Sequence, residues 1–212
     1  MGNFEKYPYF LGIGIIVIFL VDFFSPKTRI VAAESEGQIW RKKMDLVEVI
    51  VHFNDGDGDL KTLTVWNSTE CTGLTCQSTT TKAHVGDTIT FRIYYHNTTN
   101  AVAENVKIKL NLPQDFSNVL LISSSVWSDN THSPVIGTVN VNLSSQGSLR
   151  LISKSVQWHP NQSSNPMPLL YKQSGDEIVR DSGLYLGNIV GPGWDTQGYL
   201  VVSARVEEPY KE

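Results

Sequence analysis

The densest chemistry in the chain is Asn54-Asp55-Gly56-Asp57-Gly58-Asp59, where carboxylates on alternate residues of a turn can converge on a hard cation such as Ca²⁺. If Asp55 is taken as the first ligand of an EF-hand loop, Leu60 stands where glycine is required and Trp66 where the bidentate glutamate is required. That motif fails, leaving a non-helical Ca²⁺ loop on Asp55, Asp57 and Asp59 or a solvated Asp-Gly turn. Ca²⁺ is the one cofactor this pattern suggests, and no other pattern requires one. Cys71 and Cys76 flank Thr-Gly-Leu-Thr, a spacing that suits a short disulfide-closed loop at the tip of a turn. Reduced surface thiols and metal ligation are the alternatives, and no second Cys pair or His-rich tract supplies the further ligands a metal needs.

Four Asn-x-Ser/Thr sequons occur, at Asn67, Asn97, Asn142 and Asn161. Each is a glycosylation candidate in an exported protein, against a reading of polar surface alone. Trp66, Trp127, Trp158 and Trp194 offer rings for stacking on sugars, although tryptophan in an all-β domain is commonly a core plug. His52, His84, His96, His132 and His159 lack metal-ligand spacing. There is no Gly-x-Ser-x-Gly, Ser182 has no activating motif neighbour, and neither cysteine has a catalytic signature. The carboxylate pairs Asp176-Glu177 and Glu207-Glu208 adjoin in sequence, which on a strand points them to opposite faces. The expectation is a protein that is not an enzyme.

The elements that position these residues follow from composition. The 212 residues include 20 Ser, 16 Thr and 14 Asn, beside an apolar share of 41%. Such a chain has core enough for one compact domain, and its β-branched and turn-forming residues point to strands. A net charge of -4 excludes a general nucleic-acid binder, which needs a basic footprint. Near the N-terminus, LGIGIIVIFLV at residues 11–21 is an uncharged apolar run. As a helix it is about 16 Å long, against ~30 Å of hydrocarbon core, so it resembles a signal-peptide core. Val31-Ala32-Ala33 supplies small residues for cleavage. The alternative is an uncleaved anchor over residues 7–24 with Asp22 near its end. Both readings export the rest. Residues 1–33 are thus a signal peptide or membrane anchor, 34–43 a linker, 44–207 the folded domain and 208–212 a tail.

Within that domain, short alternating runs are separated by turn formers. Residues 46–53 and 63–66 are strand-like on either side of the Asp-Gly turn. Ile89, Phe91, Ile93 and Tyr95 alternate with Thr88, Thr90, Arg92, Tyr94 and His96, a pattern that buries one face and solvates the other. Val106, Ile108 and Leu110 repeat it, as do Val135, Val139, Val141 and Leu143. Residues 149–158 read as one strand with a slip of phase near Leu151-Ile152, and residues 184–190 and 198–206 close the series. About eight or nine strands and no convincing helix after residue 24 predict a β-sandwich, with a jelly roll as the alternative.

VGDTITFRIYYHNTTNAVAENVKIKLNLP at residues 85–113 resembles a known family, the prokaryotic cell-surface repeat domain called domain of unknown function number eleven. The likeness rests on the Gly86-Asp87 turn, the Asn97 to Asn100 loop, Ala103-Glu104-Asn105-Val106 and Leu112-Pro113. Leu186-Gly187-Asn188-Ile189 and Gly191-Pro192-Gly193 before the last strand are similar to its closing hairpin. Gln157-Trp158-His159-Pro160 and Gly193-Trp194-Asp195 resemble a subgroup in surface proteins of uncultured bacteria. The resemblance implies an immunoglobulin-like sandwich, here in one copy with a longer middle over residues 114–183. It implies no catalytic residues.

Together these readings predict an exported, cell-surface or secreted β-sandwich with a structural or adhesive role. Its expected partners are cell-envelope or surface proteins, or glycans, and the membrane where the N-terminal segment is retained. The alternatives are a carbohydrate-binding module and a subunit of a surface filament.

Overall fold

The computed structural model describes residues 50–193 and 196–209, so the apolar run at 11–21 and its proposed cleavage site lie outside the described residues. Among the described residues no helix is long and apolar enough to cross a membrane. The strands are β1 (Leu63–Asn67), β2 (Thr80–Ala83), β3 (Thr88–Tyr95), β4 (Ala103–Asn111), β5 (Ser117–Trp127), β6 (Val135–Leu151), β7 (Gln157–Pro160), β8 (Leu184–Ile189) and β9 (Gly198–Glu207). Single 3₁₀ turns occupy Leu74–Cys76, Leu170–Lys172 and Asp176–Val179. The fold is all-β and sandwich-like.

The hydrogen-bonded order is β1-β3-β9-β6-β5-β4-β8, with β2 on β6 and β7 on β9. The pairs are antiparallel except β2 with β6. β6 is 17 residues long and serves both halves of the molecule. Its first part pairs with β5 from Val135 to Asn142, and its last part, Ser148 to Leu151, pairs with β9. A strand shared in this way lets two layers face each other without closing into a barrel.

Register brings the inward side chains into rows. Val65 lies opposite Phe91 and Phe91 opposite Val202, while Leu63, Ile93 and Leu200 form the next row. Val106, Ile108, Leu110, Leu120, Ile122, Val139 and Val141 face them from the second layer, and each is at most 1% exposed. Burial of such branched side chains stabilises by roughly 1.5–3 kcal/mol apiece before chain entropy is counted.

Several expectations are corrected. Residues 149–158 are not one strand: Leu149 to Leu151 end β6, a turn follows in which Ser155 N–H donates to the Ile152 carbonyl, and β7 starts at Gln157. The phase slip marks this break. β5 lies in the stretch read as a long middle, because its inward row runs Leu120, Ile122, Ser124, Val126 and the serine hides the alternation. Ser124 is fully buried and its hydroxyl has no hydrogen-bond partner. The outer face of β3 is also not solvated, since Thr90 is 4%, Tyr94 1% and His96 6% exposed. Thr90 Oγ1 meets Ser68 Oγ at 2.9 Å and Ser203 Oγ at 3.2 Å. The Arg92 guanidinium lies 4.5 Å from the Tyr199 ring centroid, and Tyr199 stacks on His159 at 4.6 Å. Side chains of β7 and β9 and of the turn after β1 thus cover β3 on the side the alternation assigns to water.

Tyr95 ties the core to β7: its hydroxyl accepts from Trp158 Nε1 at 2.9 Å. Burial pushes the Tyr95 hydroxyl up from 10.0 to about 12, opposed only in part by the Trp158 bond. A raised folded pKa contributes stability that is fully present below pH 10 and is lost as pH rises from there through the folded value. Alkaline unfolding followed by tyrosinate absorbance is therefore expected to steepen between pH 10 and about 12, and less so in Tyr95→Phe. An identical alkaline profile for wild type and Y95F would contradict this assignment.

Candidate functional site

One end of the sandwich joins several buried polar groups in one hydrogen-bonded network. Asn54, in a left-handed conformation, donates through Nδ2 to Thr62 Oγ1 at 2.9 Å and to the Tyr94 carbonyl at 3.0 Å. Its Oδ1 accepts from His96 N–H at 2.7 Å. Asp59 turns inward, its Oδ2 accepting from Gly56 N–H at 2.9 Å and its Oδ1 standing 2.7 Å from His96 Nδ1. The Tyr94 hydroxyl, with one proton to share, lies 2.9 Å from Asp59 Oδ1 and 2.6 Å from Gln197 Oε1. Burial and the neighbouring Asp59 carboxylate both push that hydroxyl well above its ordinary pKa, against a smaller opposing pull from Arg92. His96 Nε2 reaches the Pro192 carbonyl at 3.0 Å. The segments at 54–62 and 96–101, with Pro192 and Gln197, are thereby tied through side chains of β3 and its C-terminal extension.

This arrangement separates the three carboxylates of the Asp-Gly run. Asp59 is a buried structural acceptor, Asp55 receives the Thr98 hydroxyl and lies 3.6 Å from His52, and Asp57 is exposed. The sequons divide as well. Asn67 and Asn97 are 4% and 0% exposed, and their amide hydrogens are spent indoors. Asn67 Nδ2 donates to the Lys82 carbonyl and Asp87 Oδ2, and Asn97 Nδ2 to the carbonyls of Ala101 and Ile189. Asn142 sits on the outer face of β6 with Nδ2 donating to Thr80 Oγ1, and Asn161 is exposed. Among the tryptophans, Trp66 is 6% exposed, Trp158 packs on the core, and Trp194 lies outside the described residues. The far edge of β8 is occupied: the Gln173 amide donates to the Tyr185 carbonyl at 2.8 Å and accepts from Tyr185 N–H at 3.2 Å. A side chain that imitates a neighbouring strand blocks pairing with another chain there.

A second cluster lies beside the disulfide. Cys71 and Cys76 are bonded, as their spacing suggests, with Cα atoms 6.1 Å apart. Asn67 carbonyl accepts from the N–H groups of Glu70 and Cys71 at 3.3 and 3.0 Å, closing the turn that leads into the bridge. Across from it, the His84 to Asp87 turn connects β2 to β3 through Gly86, whose φ of 92° favours glycine. Glu70, His84 and Asp87 place ligand atoms within 4.8 Å of one another, the one such group of three among the described residues. Sequence spacing did not show it. Burial opposes ionisation of Asp87, but hydrogen bonds from His84 N–H and Asn67, with the nearby His84 ring, hold its carboxyl below the usual range.

Elsewhere an open cleft of about 840 Å³ runs past Lys109, Asn111, Phe116, Arg150 and Val179. Its cations are paired, Lys109 with Asp181 at 2.7 Å and Arg150 with Glu207 at 3.6 Å. Asp176 and Glu177 do not lie on a strand but in a 3₁₀ turn, where they cap backbone groups. Asp176 accepts from Ser153 Oγ at 2.6 Å and Lys154 N–H at 2.9 Å, and Glu177 accepts from Gly175 N–H at 2.9 Å.

No protein-family model matches the chain, and neither does any curated protein or solved structure.

Proposed function

We propose that the chain is an exported, non-enzymatic, immunoglobulin-like β-sandwich that acts at the cell surface or outside the cell in a structural or adhesive role. The observation that carries this reading is how the loop end spends its reactive groups. The Asp59–His96 pair, the one buried acid–imidazole contact of 2.7 Å among the described residues, is used with Asn54, Tyr94 and Gln197 to tie loops together. Rigid loops on a sandwich make a contact surface. The disulfide and the apolar run at residues 11–21 support export. Asn142 and Asn161 are the sequons best placed to carry glycans. Contact through the loops is favoured over edge-strand assembly because Gln173 occupies the backbone of Tyr185 on β8.

Fractionation of the source cell, with intact-mass analysis of the native protein, tests the reading. The expected result is an envelope or secreted protein with Cys71 and Cys76 oxidised, beginning either at Glu34 or upstream of the apolar run. A cytoplasmic protein with free thiols would overturn it.

A further inference from the structure

We propose that Glu70, His84 and Asp87 form a binding site for a divalent transition ion of the Zn²⁺ type. The ligands come from two segments that strand pairing brings together. Asn67, at the end of β1, lies opposite Ile89 of β3, so the turn after β1 that carries Glu70 faces the turn before β3 that carries His84 and Asp87. Their ligand atoms all lie within 4.8 Å of one another. His84 Nδ1 and Asp87 Oδ2 are 3.6 Å apart. Two ligands on a tetrahedral Zn²⁺, each bonded at about 2.0–2.2 Å, stand roughly 3.3–3.5 Å from one another. The imidazole thus stands beside the Asp87 carboxylate at close to that scale. Glu70 and His84 are exposed side chains with rotamer freedom to close the remaining gap.

The donor set selects the ion. One imidazole nitrogen with two carboxylates is a poor match for Ca²⁺ or Mg²⁺, which prefer oxygen-only shells, and offers no thiolate for Cu(I). Three protein ligands of mixed N and O type, with a fourth position open to solvent, match Zn²⁺. The Asp87 carboxylate is held in place through one oxygen, Oδ2, which accepts from Asn67 Nδ2 and from His84 N–H, each at 2.8 Å, so Oδ1 is the oxygen with lone pairs left for an ion. Asn67 is itself 4% exposed and fixed by a second bond to the Lys82 carbonyl at 3.2 Å. The disulfide at Cys71 anchors the segment directly after Glu70. An ion here would clasp the disulfide loop to the β2–β3 turn and leave one coordination position for a group from another molecule. The site is independent of the loop-end network and of the functional reading above.

Calorimetric titration of ZnCl₂ into the full chain, in a buffer that does not chelate metal, tests the site, with Glu70→Gln and His84→Gln as variants and far-UV circular dichroism to verify their folds. The expected result is saturable binding of one ion per chain, weakened tenfold or more in each variant and not displaced by millimolar Ca²⁺. No saturable binding by the wild type would overturn the proposal. So would one-to-one binding that is unchanged in both variants, because exposed histidines such as His52 would then be the ligands.

Discussion

Asp59→Ala is expected to lower the stability of the folded domain by about 3–5 kcal/mol, the usual cost of removing one member of a buried hydrogen-bonded pair. The Asp59 and His96 side chains are 5% and 8% exposed, so water cannot replace the lost carboxylate without opening the loops. His96 Nδ1 loses its 2.7 Å contact with the carboxylate, the Tyr94 hydroxyl keeps only Gln197 Oε1 of its two acceptors, and the exposed Gly56 N–H turns to water. Weakening the bonding of a buried donor such as His96 Nδ1 costs roughly 1–3 kcal/mol, which forms part of that loss. In a domain of this size 1 kcal/mol moves the melting temperature by about 2–4 °C, so a fall of roughly 10 °C is expected. Asp59→Asn keeps an acceptor oxygen and is expected to lose less. A thermal midpoint for D59A within about 2 °C of wild type would show that the pair does not hold the loops together.

The same cluster shows where sequence reading stops. Strands β1, β3, β4, β8 and β9 are visible as alternation because each buries one side chain in two against the opposing layer. The disulfide is visible because its partners are five residues apart. By contrast Tyr94 sits at an outward position of β3, and what buries it is Gln197, 103 residues away. A local pattern holds no information about a loop that folds back over a sheet from so far along the chain. The sequons make the same point: Asn67-Ser-Thr and Asn97-Thr-Thr are local triplets, but the fate of each amide is set by carbonyls of Lys82 and Ile189. Glu70, His84 and Asp87 carry no motif spacing because the β1–β3 register, not the chain, makes them neighbours. Ser124 hides β5 by a different route, placing a polar residue at an inward position where its hydroxyl has no partner.

Gly191→Ala is expected to be the second severe substitution, by a steric route. A Cβ at this position would run into the backbone carbonyl oxygens of Asn97 and Thr99 and lie 2.8 Å from Asn97 Cγ. Backbone atoms cannot rotate aside as the end of a flexible side chain can. Asn97 is also held on four sides: its Nδ2 donates to Ala101 O at 2.7 Å and Ile189 O at 2.9 Å, and its Oδ1 accepts from Thr99 N–H at 3.1 Å and Thr99 Oγ1 at 2.8 Å. The added methyl must therefore push the 97–101 loop away from the 189–192 segment. That movement breaks the Asn97–Ile189 bond and stretches the 3.0 Å contact of His96 Nε2 with the Pro192 carbonyl. Overpacking of this kind costs about 1–3 kcal/mol, and each buried carbonyl left without a donor adds roughly 1–3 kcal/mol, so a total of about 3 kcal/mol or more is expected. Gly58→Ala is the informative comparison, because Gly58 has a φ of 86° but nothing within 4 Å of the added carbon. It tests backbone strain alone, and a loss of about 1 kcal/mol is expected. Equal losses from G58A and G191A in denaturant unfolding would mean that the close approach at Gly191 is not what holds these two loops in place.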